Sequence, residues 1–123
     1  TGPQWTVGDE VTYSKKCDPY EQGGLPLSNE EVDKIRTQVP EWTLSEDYKS
    51  ISKEWLHKDF ESAVAFINKI NILCINEGHS PWSANIQQAR GAKRSLRIVL
   101  HTARLGGLSY ADFMLALKLD FVR

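Results

Sequence analysis

Apolar residues recur at helical spacing in three stretches of the chain and alternate with polar ones in others, and their order predicts a fold. The first helical stretch opens at Ser28, where Glu31 three residues on forms a capping box and Leu27 can staple against Val32. Val32, Ile35 and Val39 share one face, and Pro40 ends the run. Trp42 and Leu44, then Ile51 and Trp55, alternate with polar neighbours and predict two antiparallel strands across a short loop at Glu46-Asp47. Asp59 is positioned to cap a second helix running to about Asn76. Phe60, Ala63, Val64, Ile67, Ile70 and Cys74 form its main core stripe, and Phe66, Leu73 and Ile75 widen it. A wide core face and a second contact, such as a subunit interface, both explain that width.

A second hairpin is expected over Ala84–Arg90 and Arg94–Thr102, with Leu96, Ile98 and Leu100 facing inward and Arg97, Val99 and His101 outward. Gly106-Gly107 makes the turn into a last helix. Leu108 and Phe113 staple around Ser109, Asp112 takes the capping-box position, and Leu115, Leu117, Leu119 and Phe121 follow. The order α-β-β-α-β-β-α predicts a single α+β domain over 27–123, a four-stranded antiparallel sheet with three helices on one face. Residues 1–26 read as an N-terminal arm, rich in Gly, Pro, Asp and Gln, in which Val7–Tyr13 is an alternative short strand.

Composition narrows the function classes. The chain has 123 residues, 41% of them apolar, which suffices for one modest core. A formal net charge of -1 gives no electrostatic reason to expect nucleic acid. No apolar run approaches the ~18 residues of a membrane span, and no signal segment opens the sequence. Cys17 and Cys74 stand far apart, so a reducing, cytoplasmic setting is expected rather than a disulfide framework. His57, His79 and His101 lack short ligand spacing and no thiol lies near a matched imidazole, so no metal is expected. The glycine pair lacks the context of a phosphate loop. Arg90, Lys93, Arg94, Arg97 and Arg104 gather on the second hairpin and its exit, either as a solvated face or as a patch for an acidic protein surface.

Two segments carry a resemblance. Glu77-Gly78-His79-Ser80-Pro81-Trp82 and Thr102-Ala103-Arg104-Leu105-Gly106-Gly107-Leu108-Ser109-Tyr110-Ala111-Asp112-Phe113 are similar to the E-G-H-H-P and T-H-x-x-G-G-L-T-x-x-D-F motifs of the pterin-4a-carbinolamine dehydratase family. Lys15-Lys16-Cys17-Asp18-Pro19-Tyr20 resembles the leader of its longer members, with Tyr20 at a second Cys position. The resemblance covers about Lys15 to Val122.

In that family three histidines converge on the pterin, and imidazole suits proton delivery to a leaving hydroxyl and proton removal from a ring nitrogen. Carried over by position, only His79 remains. Ser80 and Ala103 stand at the other two, and Trp82 replaces a position that is usually acidic. His101, two residues before Ala103, is the candidate surrogate. The resemblance therefore implies a vestigial pocket of His79, Ser80, Pro81, Trp82, Ala103 and Asp112, with no catalytic residues and no cofactor.

Degenerate-site relatives of this kind include the RuBisCO accumulation factors of autotrophs. They imply a non-catalytic assembly chaperone for the RuBisCO large subunit, itself a homodimer, cytoplasmic and carboxysome-associated, with the five basic residues as partner-binding candidates. The alternatives are an active dehydratase that recycles an oxidised pterin and a dimerisation cofactor of a transcription factor.

Overall fold

The computed structural model describes residues 25–122. Its elements are α1 (Asn29–Ile35), continued by a 3₁₀ turn (Arg36–Gln38), β1 (Thr43–Leu44), β2 (Ile51–His57), α2 (Phe60–Glu77), β3 (Ser83–Gln88), β4 (Arg94–Leu100) and α3 (Tyr110–Leu119). The strands form one antiparallel sheet in the order β1-β2-β4-β3. The predicted fold class is the observed one: three helices and a four-stranded antiparallel sheet. The arm lies outside the described residues except for Leu25 and Pro26.

Period-two alternation decides which face of the sheet meets the helices. Ile51 on β2 and Leu96, Ile98 and Leu100 on β4 are buried, whereas Glu54, Leu56, Arg97, Asn85 and Gln87 on the other face are exposed. The helices contribute Val32, Ile35 and Val39, then Ala63, Phe66, Ile70 and Cys74, then almost all of α3. Trp42 packs edge-on against Trp55 at 5.7 Å, and Trp55 lies 5.4 Å from Phe66. Both capping boxes form as expected, at Ser28–Glu31 and Ser109–Asp112, and Asp59 caps α2 through the Ser62 amide.

Several boundaries and faces differ from the sequence reading. β1 keeps only Thr43 and Leu44, because the Trp42 amide donates to the Val39 carbonyl in the turn before the ladder begins, while its Nε1–H donates to Asp120 at 2.9 Å. The α2 stripe is rotated: Phe66 is buried and Phe60 is 55% exposed, so the expected core residue and the expected flank exchange places. The centre of the buried arc lies near Phe66 and Ile70, which leaves Phe60, Ile72 and Ile75 facing out. α3 is buried around nearly its whole circumference, its apolar residues in the core and its Asp112 and Lys118 each paired, and Phe121 beyond it is exposed. His57 is half-buried, with its ring 5.0 Å from Phe66 and its Nε2 enclosed.

The approach to α3 is set by a close backbone contact. Thr102 bridges to Gly107, and Gly106 takes a left-handed φ of 69°. Leu27 N–H donates to the Leu108 carbonyl at 2.8 Å, which brings Pro26 over Gly107. A Cβ at Gly107 would lie 2.9 Å from the Pro26 Cβ. Gly107→Ala should therefore destabilise the fold by about 1–3 kcal/mol, the range for overpacking a filled site. Urea unfolding checks this, and Pro26→Gly in the same chain should restore part of the loss, as expected for residues in contact.

Candidate functional site

The polar centre of the domain forms where the end of α2 and the start of α3 meet. α2 stops at Glu77 because Gly78 adopts φ 70°, ψ 21°, the left-handed conformation that closes a helix. The next residue, His79, is 10% exposed and its Nε2 lies 2.8 Å from Asp112 Oδ1. Asp112 is fully buried. Its other oxygen, Oδ2, accepts from Thr102 Oγ1 at 2.7 Å, the Ser109 amide at 3.1 Å and Ser109 Oγ at 3.3 Å. A carboxylate here only accepts, so the His79 ring donates from Nε2. Burial without partners would be costly, and this set of donors offsets it.

His101 is held differently. Its Nδ1 lies 2.6 Å from the Lys49 carbonyl, an acceptor, so Nδ1 carries a proton and donates it there. Lys49 is fixed by the preceding turn, where its amide donates to Asp47 Oδ1 and Ser45 Oγ. The hydrogen bonds from Ser45 and from that amide hold the Asp47 carboxyl below the usual carboxylate range. The His101 ring meets Trp82 edge-to-face at 5.1 Å. Trp82 is 60% exposed and its amide donates to the Val99 carbonyl, so it opens β3 beside the end of β4.

The expected pocket residues are thus divided. Asp112 and His79 are joined by a hydrogen bond, and Trp82 packs on His101. Ser80 and Ala103 are exposed, and Pro81 is half-buried. The strand spacing expected between His101 and Ala103 does not hold, because β4 ends at Leu100 and Ala103 lies in the turn that returns to Gly107.

The basic candidates do not form one patch. Arg90 and Lys93 are exposed at the hairpin turn, while Arg94 curls back to the Ala92 and Lys93 carbonyls. Arg97 sits mid-strand on the open face beside Ser52, and Arg104 lies past the far end of β4. A polar cleft of about 360 Å³ on the open face is lined by Glu41, Thr43, Ser52, Lys53, Glu54 and Arg97 and includes none of the pocket residues. Among the described residues no three His, Cys, Asp or Glu side chains come together as a metal site, and no helix is long and apolar enough to cross a membrane.

The family model for pterin 4 alpha carbinolamine dehydratase matches residues 25–122. The chain belongs to the pterin-4a-carbinolamine dehydratase family. A Methylococcus capsulatus relative, whose name as a pterin-4-alpha-carbinolamine dehydratase is itself provisional, is 32% identical over 107 residues, covering 87% of this chain and 89% of its own. One from Alkaliphilus metalliredigens, with the same provisional name, is 34% identical, covering 86% and 90%. A solved structure titled transcriptional coactivator/pterin dehydratase, from Brucella melitensis, superposes with a TM-score of 0.61 at 17% identity, covering 79% of this chain and 97% of that one. That likeness supports the fold.

Sequence reasoning placed Asp112 of this pterin dehydratase family member in a capping box and in the expected pocket but did not pair it with His79. The missed signal is that a capping box occupies one carboxylate oxygen, leaving Oδ1 for a partner. Nor did sequence reasoning foresee that the left-handed turn at Gly78 points His79 at α3. The ion pair of Glu77 with Lys118 across α2 and α3, both nearly buried, was missed as well.

Three outcomes follow. Asp112→Asn replaces the acceptor of both the box and His79 and should cost about 3–5 kcal/mol, the scale for breaking a buried charged network, read by chemical unfolding. Ser109→Ala should cost about 1 kcal/mol through the lost cap. Burial, reinforced by the nearby Glu77 carboxylate, pushes the Cys74 thiol up to about 11. In a Cys17→Ser background, a disulfide reagent at pH 8 should therefore leave Cys74 unmodified until the protein is unfolded.

Proposed function

We propose that this chain is a non-catalytic member of its family that uses the dehydratase frame as a binding scaffold and acts as a RuBisCO assembly factor. In this reading a homodimer in the cytoplasm, associated with carboxysomes, holds large-subunit intermediates until the holoenzyme closes. The observation that carries the non-catalytic part is the state of the pocket. Of its three imidazole positions only His79 carries one, and Ser80 and Ala103 offer no group that exchanges protons near neutral pH. The partner is drawn from the resemblance of this degenerate pattern to that of the RuBisCO accumulation factors.

Surface features support a binding role. β3 pairs only with β4 among the described residues, so its outer edge is available for strand pairing. Phe60, Ile72 and Ile75 leave apolar area on the outside of α2, which suits self-association or capture of exposed apolar surface. Arg90 and Lys93 at the hairpin tip add charge that would orient an acidic partner.

An active dehydratase is the second reading, favoured by one observation. His79 and His101 each have one ring nitrogen held by an oxygen acceptor, which orients the ring as a general acid or base requires.

A stopped-flow assay with a 4a-hydroxytetrahydropterin, run beside a three-histidine relative, separates the readings. Each lost acid or base group is worth roughly 10²–10⁴-fold, so no rate above the spontaneous background is expected. Co-expression with RuBisCO should raise the yield of assembled large subunit, and His79→Ala should keep that effect. Turnover near the relative's rate, abolished by His79→Ala, would establish the dehydratase reading instead. A yield of RuBisCO unchanged by co-expression would remove the assembly role.

A further inference from the structure

The last turn of α2 is tied to α3 at two points, one on each side of Gly78. Before it, the Glu77 carboxylate meets the Lys118 ammonium, with the two side chains 13% and 5% exposed. After it, His79 meets Asp112. Between them Gly78 turns through a left-handed conformation with nothing within 4 Å of where its Cβ would be. No side chain wedges this turn, so its own surroundings do little to set the direction in which His79 leaves α2.

The residues that hold α2 in place elsewhere are apolar and non-directional. Ala63, Phe66, Ile70 and Cys74 bury one face of the helix, which fixes its distance from the core better than its rotation or axial position. An ion pair taken out of water is directional and tolerates little displacement. Glu77 Oε2 is buried without a hydrogen-bond partner among the described residues, so Oε1 and its lysine carry the anchoring of this carboxylate. If the pair is broken, a charge is left in the interior and the helix end must move to hydrate it.

We infer that the Glu77–Lys118 ion pair is a positioning device for His79, fixing the end of α2 on α3 so that the Gly78 turn delivers the imidazole Nε2 to Asp112. The inference rests on the geometry around Asp112 and is independent of whether the site turns over a substrate or only binds a partner. Through this pair, Lys118, six residues beyond Asp112 on the same helix, controls the tautomer that His79 presents.

The test is the ¹⁵N signature of the His79 ring in the full chain, which reports the protonated nitrogen directly. Wild type should show the Nε2–H tautomer as a single fixed form. Lys118→Met, and Glu77→Gln as the milder variant that keeps an oxygen for the lysine, should turn it into an averaged mixture of tautomers. The Ser109–Asp112 capping amides should stay protected from exchange in both. Lys118→Arg, which restores the cation, should return the wild-type signature. The proposal is overturned if His79 keeps its tautomer in both disruptive variants. It is equally overturned if the capping amides lose protection together with it, since α3 itself would then have moved and the pair would be structural only.

Discussion

A carboxylate kept from water at the start of an enclosed helix is the constraint on which this domain is arranged. Asp112 is fully buried, and a buried carboxylate persists only where donors replace the water it has lost. Each donor comes from a different segment: Ser109 from the cap of α3, Thr102 from the end of the β4 exit, and His79 from the turn after α2. Satisfying one side chain therefore brings three pieces of chain to one point. The turn from Thr102 to Gly107 brings Thr102 and Ser109 within a hydrogen bond of each other, and the absence of a Cβ at Gly107 lets Pro26 pack over that turn.

The same logic repeats at the other end of α3. Asp120 accepts from Trp42 Nε1 and from Lys53 Nζ, 2.7 Å away, so the helix C-terminus is tied to the first two strands. β1 is short beside this tie, since the Trp42 amide donates to the Val39 carbonyl in the turn before the strand. Lys53 is only partly exposed and also lies over the Trp55 ring, at 5.1 Å from its centroid. Polar ties at both ends and apolar packing in between explain how a helix of ten residues can sit inside the molecule. Apolar burial supplies most of the driving force, while the polar ties select one position for the helix.

Much of this was legible in the sequence because local rules dominate there. Capping boxes are read from two residues at fixed spacing, and strand faces on β4 from plain alternation. The rotated stripe of α2 was not legible. Ile, Val and Phe populate more than half of that helix's circumference, so periodicity marks a wide arc, and only the neighbours decide that Phe66 faces in and Phe60 out. The pairs His79–Asp112, Glu77–Lys118 and Trp42–Asp120 were invisible for a different reason. They join residues 33, 41 and 78 positions apart, and nothing local in either partner names the other. The geometry of the expected pocket residues was not legible, because the way His101, Trp82 and Lys49 meet depends on where β4 stops.

The motif positions also differ in what they do for the fold, and that difference bears on how the two missing histidines should be weighed. Thr102, Gly107, Ser109 and Asp112 are buried and carry hydrogen bonds or close contacts whose loss would strain α3. Ser80 and Ala103 are exposed, and a side chain there faces water rather than the core. Replacing an imidazole at such a position removes chemistry at little cost in stability, since surface substitutions away from caps and networks usually fall within about 0.5 kcal/mol. The scaffold half of the motif can therefore persist for structural reasons alone, and its presence is no argument for turnover. Weight falls instead on the groups that titrate. His79 is held by a network that the fold requires in any case, so its retention is explained by packing as readily as by catalysis. His101, tied to a backbone carbonyl that a separate turn positions, is not part of that network. Of the two imidazoles it is the one whose placement the fold's polar centre does not already account for.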